Sequence, residues 1–352
     1  RESDACKFLV RLKEGRHKIG VRSRDRFGTV LDGEERIVVQ DFLIFGIGDS
    51  AASGEGTGPN WTDRRCHRSR HSQQVLAAQA IEQRDDRSSV TFVHLACSGG
   101  RIDLGLLGGY AGIEEETPDL PPQVDEMRRL AGTREIDAVQ MSIGVNQLAF
   151  GPLLGHCVAT KGCQDELFRD GLSADAFVDR AIASLPAQYA ALAPRLDALL
   201  PAKSSDRVLI TEYPELFRDE KGVRCDSVIA VPGTGRIDLA EILFLELRGA
   251  IPLHRAVGAA ARTHGWTRVT GIRSAFHRHG YCAASDDRWI VTLTGSALGQ
   301  FDKSGTMHPT REGYRRIASY VTRTLAPALF PKGRPRAPRE PERGLGLRES
   351  EY

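Results

Sequence analysis

The segment FLIFGIGDSAASGEG, residues 42–56, holds the first candidate for chemistry. An apolar run typical of a buried parallel strand ends at Gly48, and Asp49 and Ser50 follow directly. In an open α/β sheet, ligands bind beyond the carboxyl ends of the strands, which is where Ser50 falls. A helix starting here would also direct its free N–H groups at this place. Ser50 is therefore either a nucleophile or, like Asp49, only a cap of the next helix, and the segment alone does not separate the two.

A candidate base lies in GTMHPTREGY, residues 305–314. Pro309 follows His308 and suits the first turn of a helix, so His308 is expected on the loop that enters the last helix. That loop should lie over the sheet edge where Ser50 falls. An imidazole there could take the proton of the Ser50 hydroxyl and return it to a leaving group, the minimum for acyl transfer. His277 and His279 lack carboxylates at ligand spacing, so we expect no metal site.

Acyl transfer also needs hydrogen-bond donors for an oxyanion. The segment HLACSGG offers the backbone N–H of Gly99, and MSIGVNQ offers the side-chain amide of Asn146. Taken singly, each could be a turn glycine or a polar loop residue. Four such elements at successive strand ends favour an acyl-transfer site.

The elements that must position these residues follow a regular pattern. From Phe42 onward, apolar runs at 42–48, 90–97, 136–144 and 206–213 alternate with helical stretches at 73–83, 176–200, 237–263 and 309–325. This alternation predicts an α/β domain with a parallel sheet at 41–330. Residues 1–40 are β-rich, either the end of a small β-domain or a β-extension. Residues 331–352 are rich in Pro, Arg and Glu and are expected to be a disordered tail.

The composition excludes few functions. The 352 residues include 48 basic and 46 acidic side chains, a balance that gives no reason to expect a nucleic-acid partner. No apolar run is long enough to cross a bilayer. None of the seven cysteines forms a C-x-x-C pair, which argues against a zinc ribbon. The cysteine count alone fits a secreted protein as well as a cytosolic one with free thiols.

The ordered combination of motifs resembles the SGNH, or GDSL-type, hydrolases over about residues 41 to 325. Gly48-Asp49-Ser50 followed by Gly54-Glu55-Gly56 is similar to the first block of that family. Gly99 in ACSGG, Asn146 in GVN and His308 in MHP match the second, third and last blocks. The ACSG form and the cysteine layout look most like the secreted actinobacterial lipase/esterase branch.

The resemblance implies a flavodoxin-like three-layer α/β/α sandwich. Ser50 would be the nucleophile and His308 the base, with the N–H groups of Ser50 and Gly99 and the Asn146 side chain as oxyanion hole. No cofactor or metal is implied, and the substrate would be a small-molecule or lipid ester acted on by a monomer. The resemblance also implies three sequential disulfides and hence secretion, with Cys6 outside the scheme: Cys66–Cys97, Cys157–Cys163 and Cys225–Cys282.

One departure from the family concerns the residue that orients the histidine. The family usually has Asp three residues before the histidine, where this chain has Gly305. We expect a main-chain carbonyl of the loop before His308 to hold the second imidazole N–H, which would give a dyad. Asp302 is the alternative orienting residue.

Three functions are compatible with these residues. The first is a secreted serine esterase or lipase that acts through an acyl-enzyme on Ser50. The second is a carbohydrate O-deacetylase of the same superfamily acting on an acetylated glycan, in which residues 1–40 could be a remnant of a carbohydrate-binding module. The third is a binding protein that kept the fold and lost catalysis, against which the intact Ser50, Gly99, Asn146 and His308 argue.

Overall fold

In this computed structural model, residues 10–231 and 235–330 are described. Cys6 and the predicted tail from residue 331 lie outside the described residues. The strands are β1 Gly15–Arg24, β2 Val30–Gly48, β3 Ser88–His94, β4 Ala138–Ser142, β5 Leu167–Arg169, β6 Leu172–Ser173, β7 Val208–Thr211, β8 Ser227–Val231, β9 Gly235–Asp238 and β10 Thr267–Val269.

The helices surround these strands and are joined by several short irregular turns. The α-helices are α1 Ser50–Ser53, α2 Gln73–Glu82, α3 Gln123–Ala131, α4 Phe150–Ala159, α5 Ala174–Asp197, α6 Leu239–Phe244, α7 Ile251–His264, α8 Ile272–Ala275, α9 Leu293–Gly299 and α10 Arg311–Leu329. A 3₁₀ turn at Val145–Leu148 and a π-helical turn at Leu245–Ala250 also contribute to the site described below.

A parallel sheet in the order β3-β2-β4-β7-β10 forms the middle layer. This is the flavodoxin-like order, in which the first of the parallel strands along the chain, here β2, lies between the second and the third, here β3 and β4. Helices α2 and α10 pack together on one face, whereas α5 and α7 pack together on the other. An ion pair between Arg195 of α5 and Asp125 joins α3 to the second group. The predicted three-layer α/β/α sandwich is confirmed.

The second half of β2 forms the centre of the sheet. Phe42, Leu43, Ile44, Phe45 and Ile47 are almost completely buried because helices cover both faces of this strand. A continuous apolar run without alternation is what such a strand requires. Truncation of one of these side chains to alanine would cost about 2–5 kcal/mol, so the strand that leads to Ser50 is firmly held.

The first half of β2 belongs to a hairpin instead. Residues 30–39 pair antiparallel with β1, and the two strands are largely exposed. Ion pairs Lys18–Glu34 and Arg22–Asp32 lie across the hairpin. The β-rich character expected for the N-terminal segment is therefore present over 15–24 and 30–39, in a hairpin that shares a strand with the central sheet.

Some predicted boundaries were wrong for identifiable reasons. The helix predicted at 237–263 begins only after Asp238 and is divided into α6, the π-helical turn and α7. Pro252 lies at the start of α7, where it cannot donate to the carbonyl four residues earlier. The strand predicted at 90–97 ends at His94. Strand β10 and helix α3 were not predicted at all.

Three disulfides join Cys66–Cys97, Cys157–Cys163 and Cys225–Cys282, the same pairs that the resemblance implies. Among the described residues, no helix is both long and apolar enough to span a membrane.

Candidate active site

Ser50 is positioned by the end of strand β2. Gly48 has φ +133°, and a side chain there would collide with the Ser142 carbonyl, so the turn requires glycine. The Gln123 amide binds both backbone groups of Gly48, accepting from its N–H at 2.8 Å and donating to its carbonyl at 3.0 Å. The Asp49 N–H donates to the Ser142 carbonyl at 2.9 Å. Ser50 thus begins helix α1 from a turn that is hydrogen-bonded to Gln123 on one side and to Ser142 of strand β4 on the other.

Asp49, and not Ser50, caps helix α1. Its carboxyl accepts hydrogen bonds from the Ala51 N–H at 3.0 Å and from the Tyr213 hydroxyl at 2.5 Å. Complete burial raises the pKa of Asp49 to about 7, although both hydrogen bonds act in the opposite direction. Because Asp49 provides the cap, the Ser50 hydroxyl has no capping hydrogen bond to make and is directed elsewhere.

The Ser50 hydroxyl is directed at His308. Their Oγ and Nε2 atoms lie 2.7 Å apart, with Ser50 only 4 % exposed and His308 half-buried. His308 lies on the loop before α10, whose N-cap is Thr310. The long sequence separation is bridged by packing, because the loop that follows Ser50 and the loop that contains His308 are in contact. An ideal Cβ on Gly56 would lie 3.1 Å from the His308 Cβ.

The second imidazole nitrogen of His308 faces the main chain. Nδ1 lies 3.2 Å from the carbonyl oxygen of Thr306, in the loop where the sequence predicted an orienting carbonyl. The Gly305 carbonyl accepts the backbone N–H of His308 at 3.1 Å. The Asp302 carboxyl accepts from Gln300 Nε2 at 2.6 Å and from the Ser304 N–H at 2.7 Å, and makes no hydrogen bond to His308 in the described structure. These contacts favour the tautomer with the proton on Nδ1, which leaves Nε2 free to accept the hydroxyl proton.

The His308 imidazole is neutral around pH 7. Burial lowers its pKa below the usual histidine value. The negative charge of Glu55 and the carbonyls of Thr306, Gly305 and Ser304 act in the opposite direction but do not overcome burial. A neutral imidazole that touches a hydroxyl can act as a general base.

Gly99 lies on the loop after β3, beside the Ser50 turn. It has φ +83°, and a side chain there would collide with the Tyr110 hydroxyl, which donates to the Ser98 carbonyl at 3.0 Å. The loop is tied to β2 because the Cys97 N–H donates to the Gly48 carbonyl at 3.0 Å. Within the described residues, the N–H groups of Gly99 and Ser50 have no protein acceptor, so both are available to a bound oxygen.

Asn146 lies in the 3₁₀ turn after β4. Its Nδ2 donates to the Gly100 carbonyl at 2.9 Å, and an amide nitrogen carries two hydrogens, so one more donor remains. The preceding Val145 N–H donates to the Tyr213 hydroxyl at 3.2 Å. Tyr213 therefore links the Asn146 turn to Asp49 beneath Ser50. The three oxyanion donors predicted from the sequence come from three neighbouring strand ends.

An apolar cavity, partly open to solvent, adjoins Ser50 and His308. Of the segment that follows Asn146, only Leu148, Phe150 and Leu153 line it. The rest of the wall comes from residues 213–217, the π-helical turn and α7. The large apolar side chains in the lining are Val145, Leu148, Phe150, Leu153, Leu216, Phe217, Leu245, Leu253 and Met307.

The far side of the cavity carries charged groups that are paired with one another. Glu246 is bound by Arg218 at 2.7 Å and by Arg224 at 2.6 Å, and Glu215 is bound by Arg218 at 2.8 Å. His277, considered above as a metal ligand, lies 2.9 Å from Glu215. Among the described residues, no group of three or more His, Cys, Asp or Glu side chains has the arrangement of a metal site.

Sequence reasoning missed three residues that hold this site together: Gln123, Tyr213 and His67. Each contacts a motif residue from a distant segment, so no local pattern marks it. Glu55 was noted only as part of the GEG motif, and its fully buried carboxylate is described further below.

No family model and no curated protein matches the chain. Solved structures that it resembles include TesA, with TM-score 0.38 and 13 % identity over 82 % of this chain and 99 % of that one. A chain described as a GDSL-like lipase from Parabacteroides merdae gives TM-score 0.35 and 14 % identity over 82 % and 97 %. A family two carbohydrate esterase from Clostridium thermocellum, in complex with cellohexaose, gives TM-score 0.37 and 14 % identity over 86 % and 68 %. At TM-scores this low the matches carry no weight for function, which has to be inferred from the site itself.

Proposed function

We propose that the chain is a serine ester hydrolase that acts on carboxylic esters through an acyl-enzyme. The observation that carries the proposal is the 2.7 Å contact between Ser50 Oγ and His308 Nε2 at the mouth of an apolar cavity. Ser50 would be the nucleophile and His308 the general base. The N–H groups of Ser50 and Gly99 and the Asn146 amide would form the oxyanion hole.

The chemistry divides into two half-reactions. Ser50 Oγ attacks the ester carbonyl carbon while His308 Nε2 takes its proton, and the negative oxygen receives hydrogen bonds from the three donors. His308 then protonates the leaving alcohol, and the acyl group stays on Ser50. Water attacks this ester with His308 again as base; His308 then returns the proton to Ser50 Oγ as the bond between the acyl carbon and Oγ breaks, and the carboxylic acid leaves. The Thr306 carbonyl, in place of a carboxylate, would orient the imidazole, so that Ser50 and His308 would form a catalytic dyad.

The cavity favours an esterase or lipase over a carbohydrate O-deacetylase. An acetyl group would contact only the part of the apolar lining nearest Ser50. Each methylene of a longer acyl chain that entered it would gain about 0.8 kcal/mol from burial. The third possibility, a binding protein without catalysis, is disfavoured because serine and histidine are already in contact.

The motif order supports assignment to the SGNH hydrolases, with residues 41–330 as the hydrolase domain. The three disulfides support an oxidising compartment. These two observations support the secreted lipase/esterase branch, and the resemblance alone implies a monomer that needs no cofactor or metal.

The test is hydrolysis of p-nitrophenyl esters from acetyl to palmitoyl by the wild type and by Ser50→Ala. We expect activity in the wild type alone, greatest for chains longer than acetyl. Equal rates for both proteins at every chain length would contradict the proposal. Acetate release from an acetylated polysaccharide, with no action on longer acyl chains, would favour the deacetylase.

Gly249→Leu tests the cavity itself. Gly249 lines it, and an added Cβ would meet only Leu148 at 3.7 Å, so a larger side chain there is expected to narrow the space. We expect hydrolysis of long-chain esters to fall by about 10- to 100-fold while acetyl ester hydrolysis is retained. Gly155→Leu is the matched control, because Gly155 is an exposed helical glycine with no atom near its Cβ position. Equal loss for all chain lengths would mean that the acyl chain lies elsewhere.

A further inference from the structure

Glu55 is a completely buried carboxylate that the mechanism above does not use. Its Oε2 accepts hydrogen bonds from His67 Nδ1 at 2.8 Å and from the Ser98 hydroxyl at 2.6 Å. Its Oε1 accepts from Gln300 Nε2 at 2.7 Å. An uncompensated charge at such depth would be costly, so three donors from three segments indicate a carboxylate kept ionised. We call Glu55, His67, Ser98 and Gln300 the Glu55 cluster.

The Glu55 cluster contacts three of the four loops of the candidate site, all but the turn that carries Asn146. The Glu55 N–H donates to the Ser50 carbonyl at 3.1 Å. Ser98 directly precedes Gly99, the proposed oxyanion donor. Gln300 accepts from the Gly56 N–H at 3.1 Å and donates to Asp302, in the loop that leads to His308. One carboxylate therefore joins the nucleophile turn, the oxyanion loop and the loop that carries the base.

A second acidic group holds the cluster from outside. His67 Nε2 lies 3.1 Å from the Glu114 carboxyl, and the His67 ring is stacked on Trp61 with centroids 4.5 Å apart. Burial lowers the pKa of His67, but its bonds to Glu55 and Glu114 raise it more, to above the usual histidine value. Burial raises the pKa of Glu55, but the hydrogen bond and charge of His67 and the hydrogen bond from Ser98 act against burial, and the pKa lies below its usual value.

The titratable groups around the Glu55 cluster come from five segments. They are Asp49 beneath Ser50, His67 and Glu114 on the loops that follow α1 and β3, Asp302 and His308 before α10, and Tyr314 within α10. Of these, His308 is the one that the proposed reaction protonates.

We propose that Glu55 is a positioning residue that takes over the role of the missing triad aspartate through space. This rests on the proposed function of Ser50 and His308. Gly305 has no side chain to offer, and the Thr306 carbonyl carries only a partial charge. An ideal Cβ on Gly56, the next residue along the chain, would lie 3.1 Å from the His308 Cβ, and Gln300 joins the Glu55 carboxylate to Asp302 on the His308 loop. The Glu55 carboxylate stabilises the imidazolium that forms in the transition state and keeps the His308 loop in register with Ser50.

Glu55→Gln should therefore change both the rate and its dependence on pH. Without the negative charge the imidazolium is less stable, so the pKa of His308 falls and the acidic limb of kcat/KM moves to lower pH. The plateau should fall by about 10- to 100-fold, less than the ~10⁴ of a carboxylate bonded directly to the histidine. Glu114→Gln is the matched control, because it removes a carboxylate on the solvent side of His67 and should act in the same direction but more weakly.

A titration independent of activity completes the test. The His308 ring is followed by NMR against pH in the wild type, Glu55→Gln and Glu55→Asp, with His308→Gln to assign its signal. We expect a lower midpoint in Glu55→Gln and a wild-type midpoint in Glu55→Asp, which keeps the charge. If Glu55→Gln does not fold, the Asp variant still decides, because a lowered midpoint there would show that charge is not the cause.

An unchanged His308 midpoint in folded Glu55→Gln would overturn the proposal. A loss of hydrolysis rate fully explained by a smaller fraction of folded Glu55→Gln protein would also overturn it. Failure of the proposed function looks different. In that case the wild type would not hydrolyse any ester, while the His308 midpoint would still report on Glu55.

Discussion

Two carboxyl groups of one short segment, Asp49 and Glu55, are both completely buried, and yet their pKa values are shifted in opposite directions. Asp49 receives hydrogen bonds from a neutral hydroxyl and a backbone N–H, and its pKa is raised to about 7. Glu55 is bonded by an imidazole with a raised pKa and faces a second imidazole, and its own pKa is lowered. Burial raises the pKa of both carboxyl groups, so their hydrogen-bond partners and the neighbouring charges decide the net direction of each shift. Near neutral pH the carboxyl beneath Ser50 is only partly ionised, whereas Glu55 is ionised on the side of His308, where a positive charge must form.

The largest expected effect is the loss of His308. We expect His308→Ala to lower kcat/KM by about 10⁴-fold or more, because the proton of Ser50 then has no acceptor. In that background Glu55→Gln should have no further effect on kcat/KM, since its charge acts through the imidazole. Independent, multiplicative losses in the double variant would mean that Glu55 acts on something other than His308.

The pH dependence of stability should differ for the two carboxyls. The folded pKa of Asp49 lies above its unfolded value, so its contribution is complete below about pH 4 and is lost as pH rises to about 7. The shift corresponds to about 4 kcal/mol at most. Glu55 acts with the opposite sign, and its contribution is lost as pH falls through its lowered pKa. Denaturant unfolding from pH 4 to 8 should show a smaller decline for Asp49→Asn than for the wild type; parallel curves would contradict this.

A smaller effect is expected for Tyr213→Phe. The change leaves one Asp49 oxygen and the Val145 N–H without the hydroxyl, at a cost of about 1–3 kcal/mol in unfolding free energy. The Asn146 turn should also loosen, so kcat should fall more than KM rises. Tyr320→Phe, on helix α10, is the control. A Tyr213→Phe variant as stable as the wild type would mean that Asp49 does not depend on this bond.

The smallest effect is expected for Asp302→Asn. Its carboxyl is bonded to Gln300 and Ser304 and makes no direct bond to His308 in the described structure. Activity should stay within about threefold of the wild type, because an amide oxygen can still accept these bonds. A loss of about 10⁴-fold would instead make Asp302 the third member of a triad.

The local sequence pattern was enough to predict those elements whose residue types and spacing are characteristic in themselves. The apolar run at 42–48 and the amphipathic stretch of α10 each carry their own signal, and so does the parallel arrangement of strands. Strand β10 has only three residues, too few for a periodicity. The division of the helix at 237–263 depends on Pro252 and on packing around the cavity, which alternation of residue types does not reveal.

The same limit applies to the site. Ser50, Gly99, Asn146 and His308 stand at strand ends or loop tips, where the sheet edge itself brings them together. Their supports are side chains from far along the chain: Tyr213 is 164 residues from Asp49, and Gln300 is 245 residues from Glu55. Such contacts arise only when the core is packed, so residue types and spacing could not specify them.

The central claim is that Ser50 is a nucleophile activated by His308. Labelling of the folded protein with a fluorophosphonate, followed by intact mass and peptide mapping, tests it most directly. We expect one adduct, on the peptide that contains Ser50, formed at a rate that rises with pH through a midpoint below the usual histidine pKa. It should be absent in Ser50→Ala and much slower in His308→Ala. An adduct on another residue, or equal labelling of the wild type and His308→Ala, would contradict the claim.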